Sequence, residues 1–401
     1  MKIFLAVLFL AIGSSSLSQD TWVQRDSING APRSAASVFA LNDDAFVLTG
    51  LDEFGFRRSM VKYDISQDDW DSSVSLGGTT GDELNRGSAV AFSASGYGYC
   101  GLGTGTAEYY GDFWKFDPVA GIWTQIADFG GGNRREAVAF AIDSFGYVGT
   151  GMSATGLKSD FWKYIPSSNS WIAITGFPGA ARRDAVGFTM GGQGYVGTGA
   201  AASGYTTDFW AYYPLTDTWD QKTDFPGTPR RGAIGFGLFP SAFIALGEDN
   251  AFEYKKDVWE YNYFGDSWTA RADFPAPERS QAVAVTIQGR AFAGSGYNGD
   301  FYDDWWEYTP ILFVDEPLIP HIRLSPNPAI DQFNVRFLNP ELLEGFRIYS
   351  ADGKDISNEF SINIAGSVAQ VTVNNSIDGI CFVAATFKGG GVYVEKILLT
   401  Q

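Results

Sequence analysis

Arginine recurs through most of this chain at an almost constant interval. Arg33, Arg86, Arg134, Arg182, Arg230 and Arg279 stand 53, 48, 48, 48 and 49 residues apart, each three residues before a small apolar residue. In three repeats a second arginine follows, at Arg135, Arg183 and Arg231, and two of these are followed by an acid, Glu136 and Asp184. Guanidinium groups brought together attract carboxylate or sulfate, most of all on a protein whose net charge is −18. Five Asp-x-Trp runs, beginning at Asp112, Asp160, Asp208, Asp257 and Asp304, offer the first arginine column a competing role. Each arginine of that column could pair with one of these acids, and the repeat without the Asp has Ser59 instead. A feature present in every repeat suits a structural role, because a ligand breaks the symmetry. The first column is therefore expected to be structural, or a ligand ring at the mouth of a channel. The candidate ligand residues are Arg135, Arg183, Arg231, Glu136 and Asp184.

Other chemistry is restricted by what the chain lacks. His321 is the only histidine. An imidazole metal site needs two or three, and a Ser-His-Asp arrangement would have to use this one, in a proline-rich stretch. Acidic pairs such as Asp43-Asp44, Asp68-Asp69 and Asp303-Asp304 lack the ligand spacing of a calcium loop. No phosphate-binding glycine loop opens a helix. No metal, cofactor or catalytic residue is expected.

The elements that must position the arginines are short strands. Arg182–Pro226 reads Arg-Arg-Asp-Ala-Val-Gly-Phe, then Gly194-Tyr-Val-Gly-Thr-Gly199, Asp208-Phe-Trp-Ala-Tyr212, Trp219 and Phe225-Pro226. The preceding 48 residues carry the same series. Four strand-like runs per 45–50 residues are the signature of a propeller blade. A tryptophan follows the third-run aromatic by seven residues at Trp70, Trp123, Trp171, Trp219 and Trp268. The sixth repeat reaches Pro310 without one. Trp22, near the start of the chain, supplies it, and the N-terminal strand is expected to pair with the strand ending near Tyr308 and close the ring.

These columns resemble the kelch family, with Gly-x-Gly, as in Gly149-Thr-Gly151, often standing for the double glycine of a typical unit. The resemblance implies an all-β, six-bladed propeller over residues 19–310. The copper oxidase that shares this fold uses histidine ligands, and residues 19–310 contain none. Propeller sialidases carry Ser-x-Asp-x-Gly-x-x-Trp turns, and none appears.

Residues 1–18 have the lysine, apolar run and small-residue cleavage site of a signal peptide. Residues 311–321 read as a linker, and 322–401 as a small Ig-like β-sandwich. Pro326-Asn-Pro328, Asp352-Gly-Lys354, Gly379-Ile-Cys-Phe-Val383 and the Lys396-led ending resemble the C-terminal sorting domain of the type IX (Por) secretion system. That resemblance implies a Gram-negative cell, contact with the secretion machinery through residues 322–401, and a secreted or surface location. Cys100 and Cys381 fall in different domains and are expected to be buried thiols. The acidic balance disfavours nucleic acid, and no apolar run is long enough for a transmembrane helix. The expected function is a non-catalytic module that binds a protein or glycan at one propeller face. The alternative is an enzyme acting on an acidic sugar, akin to N-acetylneuraminate epimerases or mutarotases.

Overall fold

The computed structural model describes residues 20–30, 32–79, 81–310, 322–337, 343–375, 377–387 and 391–400. The expected signal peptide, linker and His321 lie outside them. Among the described residues, six four-stranded antiparallel sheets occupy 21–309. Sheet I comprises Ser37–Leu41, Asp44–Leu48, Met60–Asp64 and Asp69–Ser73. Sheet II comprises Val90–Ala94, Tyr97–Gly101, Phe113–Asp117 and Ile122–Ile126. Sheet III is built from Val138–Ile142, Phe145–Gly149, Phe161–Ile165 and Ser170–Ile174. Sheet IV uses Val186–Met190, Gln193–Gly197, Phe209–Tyr213 and Thr218–Lys222. Sheet V uses Ile234–Leu238, Ser241–Ala245, Val258–Asn262 and Ser267–Arg271. Sheet VI joins Val283–Ile287, Arg290–Gly294 and Trp305–Thr309 to the N-terminal strand Thr21–Arg25.

The first strands of the six sheets neighbour one another in a closed cycle and line a central channel of about 430 Å³. Close approach needs small residues on the second strands. A Cβ at Gly98 or Gly146 would run into the ring of Phe39 or Phe92 from the preceding sheet. Backbone hydrogen bonds tie the cycle. The amides of Gly50, Gly103, Gly151, Gly199, Gly247 and Gly296 donate to the carbonyls of Arg86, Arg134, Arg182, Arg230, Arg279 and Arg33, each in the next sheet's repeat. This accounts for the Gly-x-Gly motif: Thr150 and Gly151 both have positive φ, 57° and 93°, which turns the Gly151 amide outward to Arg182.

Trp22 lies opposite Tyr308 in the ladder of sheet VI, 4.6 Å between ring centroids, and meets Phe274 of the neighbouring repeat edge-on at 5.1 Å. The other column tryptophans donate from Nε1 to a carbonyl of the preceding repeat, as Trp171 does to Ala127 at 3.1 Å and Trp219 to Thr175 at 3.0 Å. Trp22 makes no such bond among the described residues, so the closure rests on strand pairing and ring packing. Trp22→Ala is expected to destabilise the ring by roughly 2–4 kcal/mol, at the lower side of a buried Trp→Ala change because the ring is half-exposed. Urea unfolding followed by tryptophan fluorescence measures it; an unchanged midpoint contradicts closure by this strand.

Residues 322–400 form two sheets around a separate core. One runs Ile322–Ser325, Gln332–Phe337, Val368–Val373, Phe360–Ala365 in spatial order; the other runs Leu343–Ser350, Gly379–Phe387, Gly391–Leu399. Phe333, Val335 and Val371 of the first face Ile348, Val383 and Ile397 of the second. The unit rests on sheets IV and V through aromatic residues. Phe239 meets Tyr349 at 5.4 Å and Phe382 at 5.7 Å, and the turn at Gly353 lies against Gly191. Turns at this end of the other sheets are polar, as in Asn42-Asp43 and Ser95-Gly96; Gly191-Gly192 and Phe239-Pro240 depart where the second unit docks. Cys100 and Cys381 are buried and free, and burial pushes their thiols up to about 12 and about 11. No helix among the described residues is long and apolar enough to cross a membrane.

Candidate functional site

The two arginine columns part company in the structure. The first does not form an open ring at the channel mouth. Arg86, Arg134, Arg182, Arg230 and Arg279 are buried within their own sheets, each bidentate to the Asp of its Asp-x-Trp run. In sheet IV, Arg182 Nη1 and Nη2 stand 2.6 and 2.7 Å from the two oxygens of Asp208. Nη1 also donates to the Thr198 carbonyl at 2.8 Å, Nε donates to Ala180, and Trp210 Nε1 donates to Asp208 at 2.9 Å. With its donors satisfied inside the sheet, the guanidinium is turned away from the channel. Arg33 follows suit with the Ser59 hydroxyl at 3.2 Å. Burial alone would raise the carboxyls of Asp160, Asp208 and Asp257; their arginine hydrogen bonds and charges win and hold them below the usual range.

Two residues beyond each of these arginines, the backbone closes a second cycle around the mouth. The amides of Ala35, Ser88, Glu136, Asp184, Gly232 and Gln281 donate in turn to the carbonyls of Gln281, Ala35, Ser88, Glu136, Asp184 and Gly232, at 2.8–3.1 Å. All six residues have positive φ, between 50° and 60°. The backbone is therefore equivalent in the six repeats, and side chains alone distinguish one part of the rim from another. Sheets III to V carry charge there. The other half presents Ser34, Ala35, Gly87, Ser88, Ser280 and Gln281.

The charged half is a continuous arc. Arg135 bridges to Met152, Arg183 pairs in register with Ala200, and Arg231 with Glu248, so three short hairpins hold the second arginine column at the rim. Arg183 Nη1 lies 2.6 Å from Glu136 Oε2 and 3.6 Å from Asp184 Oδ2. Arg135 lies 3.3 Å from the other oxygen of Glu136. Arg231 lies 3.8 Å from Asp184 and 3.1 Å from Glu248, and Tyr205 Oη donates to Glu248 at 3.4 Å. Tyr109 and Tyr205 place their rings beneath Arg135 and Arg231, at 5.3 and 5.4 Å. Arg135 Nε is buried without an acceptor among the described residues, which leaves a donor in the arc to be met.

Asp184 is the titrating member. Burial raises its carboxyl, the charge of Glu136 raises it further, and Arg183, Arg231 and Arg135 pull against both, leaving it at about 7. Near neutral pH the arc thus holds three guanidiniums against two or three carboxylates. Three guanidiniums set among aromatic rings, in excess while Asp184 holds its proton, suit a carboxylate, and a carboxyl that exchanges its proton near pH 7 suits acid–base chemistry.

No family model matches the chain, and no curated protein matches it. Among solved structures it is similar to YjhT, at a TM-score of 0.59 and 14% identity, over 70% of this chain and 94% of that one. The ring is a β-propeller. At this identity the likeness speaks for the fold alone.

The five residues singled out from the sequence, Arg135, Glu136, Arg183, Asp184 and Arg231, thus meet in one arc of the propeller. Sequence reasoning missed Glu248, Tyr205 and Tyr109. Glu248 had a usable signal: the residue after the second-strand glycine is Leu51, Thr104, Met152, Ala200, Glu248 and Tyr297 in the six repeats, and a carboxylate occurs once. The tyrosines had none, because these hairpins differ in length and sequence.

Proposed function

We propose that this chain is an exported, six-bladed kelch-type propeller that binds a carboxylate-bearing sugar at its mouth, with sheets I–VI as the blades. One observation carries this reading. Around a rim of equivalent backbone, the two positions after the first arginine column are charged only in three consecutive blades, where Arg135, Arg183 and Arg231 converge and Arg135 keeps an unmet donor. The ligand's carboxylate would replace Glu136 or Asp184 on Arg183, and its ring would lie over the small residues of the opposite half. The terminal unit would act as an Ig-like type IX sorting domain, bringing the propeller to the cell exterior. Its docking at Phe239, on the end of the blades remote from the arc, leaves the mouth accessible.

Titration of the full chain with N-acetylneuraminate by calorimetry tests the binding. Arg183→Ala and Arg231→Ala are each expected to weaken it at least about tenfold, since removing one partner of a desolvated charge pair costs about 2 kcal/mol or more. Unchanged affinity in both variants rejects the site.

A second reading is favoured by Asp184. A carboxyl poised near pH 7 beside Glu136 could move a proton on the bound sugar, as an epimerase or mutarotase requires. Faster exchange between the sugar's anomers, or a new epimer, in the NMR spectrum would support it. A spectrum unchanged by the protein leaves binding without turnover.

A further inference from the structure

A second cavity, of about 480 Å³, lies between sheets II and III near the ends of the strands remote from the charged arc. Its walls include Tyr97, Lys115, Thr124, Gln125, Ser167 and Asn169. At the III–IV junction the corresponding Lys163 lies over the Phe145 ring, 3.6 Å from its centroid, and at the other four the equivalent space is occupied. Between sheets VI and I, Glu307 is held by Arg25 and Arg290. Between V and VI, Glu260 pairs with Arg271 and Ser241. Between IV and V, Tyr263 reaches across to Gln193 at 2.9 Å. Between I and II, Lys62 is met by Asp44 at 3.6 Å. At the II–III junction Pro166 stands where Tyr263 stands in sheet V, too short to cross. Lys115 has no carboxylate within 4.0 Å among the described residues, and its ammonium lies 4.5 Å from the centroid of the Tyr97 ring. The opening has the size of a small-ligand pocket, with a cation, an aromatic ring, hydroxyls and side-chain amides converging on it.

We propose that this cleft binds a uronate residue of a polysaccharide. Lys115 would meet the carboxylate, the Tyr97 side chain would flank the pyranose ring, and Thr124, Gln125 and Ser167 would take its hydroxyls. Asn169 is fixed for this role, because its Oδ1 accepts from Tyr164 Oη at 2.9 Å and from the Ala127 amide at 3.0 Å, which orients its amide. Polar groups that read hydroxyls beside one cation select an acidic sugar over a neutral one. The proposal stands apart from the reading of the mouth, since it uses neither the arginines nor the acids there.

The test is calorimetric titration of the full chain with trigalacturonate and, in parallel, with neutral galactotriose. Binding of the uronate with at least tenfold preference over the neutral sugar is expected. Measured in an Arg183→Ala background, which removes the acidic-sugar site proposed at the mouth, Lys115→Ala and Tyr97→Ala should each lower the affinity at least tenfold, and Lys115→Arg should retain most of it. Thermal melts of the same variants separate lost binding from lost folding. The proposal is overturned if trigalacturonate does not bind, if galactotriose binds equally well, if folded Lys115→Ala in that background binds as Arg183→Ala alone does, or if Arg183→Ala abolishes binding and so moves the ligand to the mouth.

Discussion

Arg182→Ala is expected to unfold the propeller at a markedly lower urea concentration, with a loss of about 3–5 kcal/mol. The arginine is 1% exposed and satisfies both oxygens of Asp208 together with the carbonyls of Thr198 and Ala180. Its removal leaves a partly buried carboxylate and two carbonyls with fewer donors, and opens a hole beside Phe177, whose ring the guanidinium covers at 4.8 Å. The neighbouring Arg183→Ala removes a one-quarter-exposed side chain, and Glu136 keeps Arg135 at 3.3 Å, so the loss should be smaller, about 1–2 kcal/mol. The contrast between adjacent arginines is the diagnostic, because composition and charge change equally in both. The pairing also sets an acid limit. Asp160, Asp208 and Asp257 lie below the ordinary carboxylate range when folded, so their contribution is present above the unfolded value near 3.9 and is lost as pH falls through the lowered folded values. Asp208→Asn should therefore flatten the acid side of the stability curve. Equal midpoints for the Arg182→Ala and Arg183→Ala variants would refute the division of the two columns.

The second large effect is on ligand affinity and runs the opposite way with pH. Asp184 is raised to about 7, so it carries its proton below that pH and is charged above it. Below pH 7 the arc holds Arg135, Arg183 and Arg231 against Glu136 and Glu248; above it the third carboxylate competes for Arg183 and Arg231. Affinity for a carboxylate sugar should then fall about tenfold between pH 6 and pH 8, because binding takes up the proton that Asp184 releases. Asp184→Asn should remove the dependence and keep tight binding at pH 8. The same substitution has a stability consequence of defined sign. The folded pKa lies above the unfolded one, so native Asp184 loses stability as pH rises from about 4 to about 7. The Asn variant should be the more stable of the two at pH 8. A wild-type affinity independent of pH would remove Asp184 from the site.

Much of the fold is legible because its determinants are local and repeated. The column of tryptophans seven residues after each third-run aromatic marks the turn between the third and fourth strands, and its absence after Tyr308 points to Trp22. The acid of Asp-x-Trp is similarly readable: Asp160 takes Arg134 and its own Trp162 at once. The structural pairing of the first arginine column with these acids was expected; the further capture of each guanidinium by a backbone carbonyl was not readable. It depends on the left-handed residues Thr49, Leu102, Thr150, Thr198, Leu246 and Ser295, whose carbonyls turn inward to meet each guanidinium. No residue preference in the sequence announces that turn, since threonine, leucine and serine all occupy it. The docking of the second unit was equally hidden, although Phe239-Pro240 breaks the run of polar turns.

The sequence alone determined the repeat, the strand pattern within it and the five residues worth watching, because alternation and spacing are properties of neighbours along the chain. Tertiary structure decided which of them act together. Arg183 and Glu136 lie 47 positions apart and meet at 2.6 Å only because adjacent blades present equivalent positions to a common rim. The arc is thus a product of closure, which turns a distance of one repeat along the chain into contact between side chains.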